Sequence, residues 1–137
     1  MKFSNRDHLR RRMKAIPAEV KKAARAQLRA NAEELVETIK RFAPEEDGAL
    51  RNSVRQQDVS TSTRIARRVQ AGGALTTKPV RKSEKGAPTY DYALAQEFGT
   101  ERMPANPFFW PAWRLLRRRM RSRMTRAARK AIQKATG

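Results

Sequence analysis

The chain has 137 residues, no cysteine, 39% hydrophobic and 33% charged residues, and a formal net charge of +19. This length fits a single domain, 1–137, with a modest core built from amphipathic elements; the missing cysteines exclude a disulfide framework and thiol chemistry. No apolar run approaches the ~18 residues of a membrane span and the N-terminus is charged, which predicts a cytosolic product with no membrane partner, while the charge predicts acidic surfaces or polyanions nearby.

In chain order, Asn5 to Ile16 reads as a short helix, and Pro17 suits the first turn of the next one. From Ala18 to Phe42 the apolar positions Val20, Ala24, Leu28, Ala32, Leu35, Ile39 and Phe42 recur every three or four residues, which places them on one stripe of a helix. Pro44 ends it, because it lacks the amide the ladder needs and pushes the residue before it out of the helical region. After Gly48 an alternation of Leu50, Asn52, Val54 and Gln56 predicts a half-buried strand. A second alternating run from Thr63 to Ala71 predicts its hairpin partner across the loose turn Asp58–Ser62.

The stretch from 75 to 89 carries Pro79, Gly86 and Pro88 among Lys78, Arg81, Lys82 and Lys85; it has neither period and predicts a mobile basic loop. Tyr90 to Phe98 predicts two turns of helix with Tyr90, Ala93, Leu94 and Glu97 or Phe98 on a shared side, closed by a left-handed Gly99. Pro104, Pro107 and Pro111 force an extended aromatic segment. Pro111 then sits in the first turn of a long last helix with the stripe Ala112, Leu115, Leu116, Met120, Met124, Ala127, Ala128, Ala131 and Ile132. The fold class that results is α+β: long N-terminal and C-terminal helices packed on a small antiparallel sheet, with a short helix before the EFGT turn.

Catalytic groups are scarce, so the sequence predicts no enzyme, no cofactor and no metal site. His8, the only histidine, lies among arginines and reads as a solvated residue. Glu45, Glu46 and Asp47 fall together in a turn where a solvated or capping role suits them, and Gly72-Gly73 lacks the remaining glycines and the lysine of a phosphate loop. The charge is lopsided. Ten basic residues and no acid lie between Arg114 and Lys134, and ten more between Lys2 and Arg29 against Asp7 and Glu19 alone. Like charges three and four apart on one helix repel, so a counter-charged partner is implied. Arg117, Arg118, Arg121, Arg129 and Lys130 are the candidate polyanion contacts, with DNA and an acidic protein face as the two occupants. The clustered aromatics Phe108, Phe109, Trp110 and Trp113 sit beside prolines, which suits packing or an interface better than the dispersed stacking of single-strand binders.

The window Tyr92-Ala93-Leu94-Ala95-Gln96-Glu97-Phe98-Gly99-Thr100, followed by Pro107-Phe108-Phe109-Trp110-Pro111-Ala112, reads as a docking element. Its candidate contacts are Tyr92, Glu97, Phe98, Gly99, Thr100, Phe108, Phe109 and Trp110, with Glu97 facing an arginine of a neighbouring subunit or Phe98 packing on Phe42 and the last helix. With the upstream run Ala43-Pro44-Glu45-Glu46-Asp47-Gly48-Ala49-Leu50-Arg51-Asn52-Ser53, it resembles the tail-completion (head–tail joining, neck) proteins of long-tailed bacteriophages and gene transfer particles. Matching positions run from Pro44 to Ala112, about half the chain. The chain departs from the family pattern at Asp47, where threonine is usual, and in the basic stretch Lys78 to Lys85.

The resemblance implies a structural virion protein of the neck, assembled in the bacterial host cytoplasm. Its implied partners are further copies in a ring, as a hexamer matching the sixfold tail, the tail terminator or tail tube protein, and the head-side connector. A free basic nucleic-acid-binding protein is the alternative that composition alone favours.

Overall fold

The computed structural model describes residues 18–45, 48–79, 85–86 and 88–136. The expected helix from Asn5 to Ile16 and His8 lie outside the described residues. Helix α1 spans Ala18–Phe42, as its periodicity predicts. It buries Val20, Ala32, Leu35 and Ile39 from the expected stripe, while Phe42 at its end is left exposed. Pro44 stops it, and the Arg51 guanidinium donates to the Lys40 carbonyl at 3.2 Å, satisfying one of the acceptors a helix end leaves open.

The expected strand after Gly48 begins as a helix instead. Gly48 sits at φ 77°, ψ −13°, and α2 covers Ala49–Ser53, with Asn52 N–H donating to the Gly48 carbonyl at 2.9 Å. A spacing of four, Leu50 to Val54, satisfies a strand as two periods of two and a helix as roughly one turn. Both residues are buried and Asn52 between them is exposed, so the helix is the solution that puts Leu50 into the core.

The chain extends only from Val54. Strand β1 (Arg55–Asp58) pairs antiparallel with β2 (Arg67–Gln70), Gln56 opposite Val69. The ladder continues past Asp58 through Val59 N–H to the Ala66 carbonyl and Thr61 N–H to the Arg64 carbonyl, so the hairpin closes at 61–64 and not at the expected 58–62.

The two ends of the basic stretch 75–89 also pair: β3 (Thr77–Pro79) runs antiparallel to β4 (Thr89–Asp91). Residues 80–84 and 87 lie outside the described residues. The sheet component is thus two separate two-stranded hairpins. Tyr90, expected in the following helix, is in β4; helix α3 spans Tyr92–Phe98 and α4 spans Phe109–Thr136.

Helix α1 packs on both strands of the first hairpin and along α4. The two long helices run antiparallel: the buried Asn31 amide donates to the Met120 carbonyl at 3.2 Å and accepts from Gln27 at 3.0 Å, while Glu34 meets Arg119 at 3.1 Å and also Arg123. A buried amide with both ends satisfied costs little, and would cost several kcal/mol if shifted by a turn into apolar surroundings, so it fixes the register. Leu35, Val36, Ile39, Leu50, Val54, Phe108, Ala112, Leu116 and Met120 form the core, each large side chain contributing roughly 1.5–3 kcal/mol by leaving water. Leu115 and Ile132, expected on the inward stripe of α4, are exposed: at 100° per residue Leu115 falls on the flank of the face defined by Ala112, Leu116 and Met120, and Ile132 on its far side.

Antiparallel packing brings the first half of α1, with Lys21, Lys22, Arg25 and Arg29, beside the second half of α4. The described part of the N-terminal basic run therefore shares one end of the helical pair with the later part of the basic run of α4. Helix α3 and the aromatic start of α4 occupy the other, and the first hairpin lies along α1, with Asp58 within reach of the Arg25 charge.

Candidate docking site

Helix α4 opens on Pro107-Phe108-Phe109-Trp110-Pro111, which offers no Ser, Thr, Asp or Asn to take up its first amides. Glu97 supplies the missing acceptor from across the turn. Its Oε2 accepts from Phe108 N–H at 2.8 Å and Phe109 N–H at 2.9 Å, and its Oε1 from Trp110 N–H at 3.0 Å. Pro111 has no N–H, so the first turn of α4 has no unsatisfied donor, and a negative group stands at the positive end of a 28-residue helix. The side chain is 7% exposed. Glu97 therefore does not face outward toward an arginine of a neighbouring subunit: α3 is rotated so that Ala93, Ala95, Gln96 and Glu97 are its buried residues.

The segment joining the two helices is stitched back onto α3. Gly99 N–H donates to the Ala95 carbonyl at 2.7 Å, Asn106 N–H to the Gln96 carbonyl at 2.8 Å, and Thr100 N–H to the Met103 carbonyl at 2.8 Å, with the Thr100 hydroxyl accepting from Met103 N–H at 3.1 Å. Gly99 has φ 77° and ψ 173°, an extended conformation at positive φ that differs from the expected left-handed one and is essentially confined to glycine. A Cβ there would lie 2.8 Å from the Ala105 nitrogen.

The other end of α3 is held as firmly. Asp91 Oδ1 accepts from Ala93 N–H at 2.9 Å and from the Thr76 hydroxyl at 2.6 Å, and Oδ2 accepts from Gly73 N–H at 3.0 Å. Gly72, at φ 93°, approaches so closely that a Cβ would lie 2.6 Å from Asp91 Oδ2. Its carbonyl accepts from Arg55 at 2.7 Å and its N–H donates to the Ser53 hydroxyl at 3.0 Å. The Gly72-Gly73 pair is thus the joint that ties α2, the first hairpin and α3 together.

Burial by itself raises the Asp91 pKa, but the hydrogen bonds from Thr76, Gly73 and Ala93 and the nearby Arg55 charge outweigh it and hold the carboxyl below its ordinary 3.8. Asp58 is likewise held low, by Ser60 and then by Arg67 and Arg25. A folded-state pKa below the unfolded one gives stability that is present above the unfolded value and is lost as pH falls through the folded one. Thermal melts should therefore be flat above the ordinary carboxylate range and drop below pH 3.8, with Asp91→Asn less stable near neutrality and showing a smaller acid-induced fall. An equal fall in the variant would remove Asp91 from this account.

The docking residues expected from the sequence separate into an inner and an outer set. Phe108 is buried in the core, and Phe109 and Tyr92 are half-buried against it. Phe109 stacks edge-on to Trp110 with ring centroids 5.6 Å apart, and Lys78 Nζ lies 5.1 Å from the Tyr92 ring centroid. Thr100 is exposed and holds the turn. Phe98 does not pack on Phe42 and α4: it is 66% exposed, with Leu94, one turn earlier on the same face, at 60%. On α4, Trp110 at 44% and Trp113 at 40% form a second exposed pair three residues apart.

Leu94 and Trp113 complete an outer set that the sequence reading does not assemble. Their signal was spacing, since Leu94–Phe98 and Trp110–Trp113 are each neighbours on a helix surface. Glu97 joins the two helices that carry these pairs, so they are held on one rigid unit.

Of the polyanion candidates, Arg117, Arg118, Arg121 and Arg129 are exposed on the side of α4 opposite Leu116 and Met120. Lys130 lies apart from them, lining a groove at the α1 seam with Gln27, Arg123, Arg126 and Ala127.

A family model described as "Bacteriophage HK97-gp10, putative tail-component" matches residues 7–99. That span reaches from the N-terminal basic run through α1, both hairpins and α3 to Gly99, and ends before α4. Comparison with curated proteins and with solved structures found no match. Among the described residues no helix is long and apolar enough to cross a membrane. With well over half of its length matched, the chain belongs to the HK97-gp10-like family and has the structural role of a phage tail component.

Proposed function

We propose that the protein joins or completes the tail at the head–tail interface, as a ring of copies in the virion neck, and acts by bridging surfaces without catalysis. The observation that carries this reading is the exposed apolar set Leu94, Phe98, Trp110 and Trp113 on a rigid, internally hydrogen-bonded unit. Large apolar side chains gain roughly 1.5–3 kcal/mol each when covered, and aromatic groups dominate protein interfaces. Their partners in this reading are neighbouring copies, a hexamer matching the sixfold tail, together with the tail terminator or tail tube protein on one side and the head-side connector on the other. The ring and its neighbours rest on the family resemblance. Assembly takes place in the cytoplasm of the bacterial host.

Deleting the gene should leave filled heads and separate tails that fail to join; normal infectious particles would overturn the assignment. A finer test uses Phe98→Ala. Because the ring is exposed, the variant should melt within about 0.5 kcal/mol of the parent. It should nevertheless fail to restore joining when supplied to particles lacking the protein. A variant that loses stability and joins normally would place Phe98 in the fold and not in the contact.

A further inference from the structure

We infer that the solvent face of α4, built from Arg114, Arg117, Arg118, Arg121 and Arg129, binds the phosphate backbone of duplex DNA without regard to sequence. At 100° per residue these five arginines cluster around the direction opposite Ala112, Leu116 and Met120, and all five are exposed. The arginines nearer the seam are already engaged: Arg119 and Arg123 both meet Glu34. The outer five form no ion pair among the described residues, and between Arg114 and Lys134 the sequence has no acid to offer them. Arginines three and four apart repel and weaken the helix that carries them. A face of this kind gains most from a partner that supplies a continuous row of negative charge.

Two features, the scarcity of apolar anchors and the length of the face, favour a nucleic acid over an acidic protein as that partner. Protein interfaces are anchored by buried apolar and aromatic side chains and depleted of charge at their centre. Here the exposed large apolar side chains Trp110, Trp113 and Leu115 border only the start of the arginine face, and beyond Leu115 α4 exposes only Ile132. All five outer cations are arginine, whose planar fork matches phosphate and carboxylate geometry alike. The face from Arg114 to Arg129 lies on one continuous helix and is about 22 Å long at ~1.5 Å per residue, which spans roughly six phosphates of one strand at ~3.4 Å of rise each. Nothing in the set offers the mixed polar groups that read base edges, so the contacts position without specifying.

The test is a fluorescence-anisotropy titration of the full chain with two short duplexes of unrelated sequence, at salt from about 50 to 200 mM. Five phosphate contacts give a log–log salt slope of about −4.5, equivalent to a roughly 500-fold loss of affinity across that range, the same for both duplexes. Arg117→Gln with Arg121→Gln should reduce the slope by about two, since each lost phosphate contact removes about one. Arg102→Gln, at the other end of the molecule, should leave it unchanged. Three outcomes overturn the inference: a slope insensitive to the double substitution, a loss equal to it from Arg102→Gln, or a polyglutamate peptide displacing the duplex more effectively than unlabelled duplex does. The last would make the face a contact for an acidic protein.

Discussion

Replacing Glu97 by alanine should destabilise the protein by about 3–4 kcal/mol, a large share of the roughly 5–15 kcal/mol that holds a domain of this size together. Three amide donors lose one acceptor at once. The Phe108 N–H is buried, and leaving it without a partner costs about 1–3 kcal/mol. The Phe109 and Trp110 amides are partly reachable by water, so their loss resembles that of an ordinary helix cap, about 0.5–2 kcal/mol. Removing a negative group from a helix N-terminus adds about 0.3–1 kcal/mol.

Glu97→Gln keeps an acceptor oxygen without the charge and should recover about half of the loss. Urea unfolding with an unchanged m-value is the measurement, because a changed slope would mean that the denatured or native ensemble itself had shifted. Alanine and glutamine variants both within about 0.5 kcal/mol of the parent would show that α4 does not depend on this cap.

Gly99→Val should cost about as much, ~3–5 kcal/mol, by a different route. The φ 77°, ψ 173° conformation lies where residues with a Cβ scarcely go, a strain of order 1–3 kcal/mol. The new side chain would also be pressed against backbone, 2.8 Å from the Ala105 nitrogen and 3.1 Å from the Met103 carbonyl oxygen. Backbone cannot swing aside as a long side chain can, so relief requires moving the 103–105 segment, with a further ~1–3 kcal/mol of overpacking. That segment leads into Asn106 and the first turn of α4, which Glu97 caps. The two variants should therefore share a signature, loss of protection of the Phe108 to Trp110 amides in hydrogen exchange. Gly99→Ala, which carries the same Cβ, should show most of the effect; if it melts like the parent, the conformation at Gly99 is not a constraint on the fold.

Much of the architecture is legible in the residues. Twenty-five residues of steady three-and-four spacing followed by proline can hardly be anything but α1. Alternation between 63 and 71 points correctly to a hairpin strand. The segment from Ala49 to Ser53 is misread because Leu50 and Val54, four apart, satisfy both periods. Exposure of Asn52, which only the packed structure supplies, separates them. Pro79 and Pro88 hide the second hairpin, whose three-residue strands are too short to show a period. The inward position of Glu97 has one sequence signal, an absence: no residue at the start of α4 can cap it, and Glu97 and Glu101 are the nearest acids before it.

The sequence by itself determined the elements that rest on neighbours along the chain: two long amphipathic helices, a hairpin, a glycine-closed short helix, and an excess of positive charge divided between the two ends of the chain. Local spacing dictates these because 100° per residue puts apolar groups on one side whatever lies beyond. The tertiary structure decided what depends on partners distant in sequence. Antiparallel packing, pinned by Asn31 and Met120 eighty-nine residues apart, brings Lys21, Lys22, Arg25 and Arg29 beside the basic second half of α4. The rotation of α3 turns Glu97 inward onto the first three amides of α4 and leaves Leu94 and Phe98 outside, because the groups that need its carboxylate lie eleven to thirteen residues further along the chain.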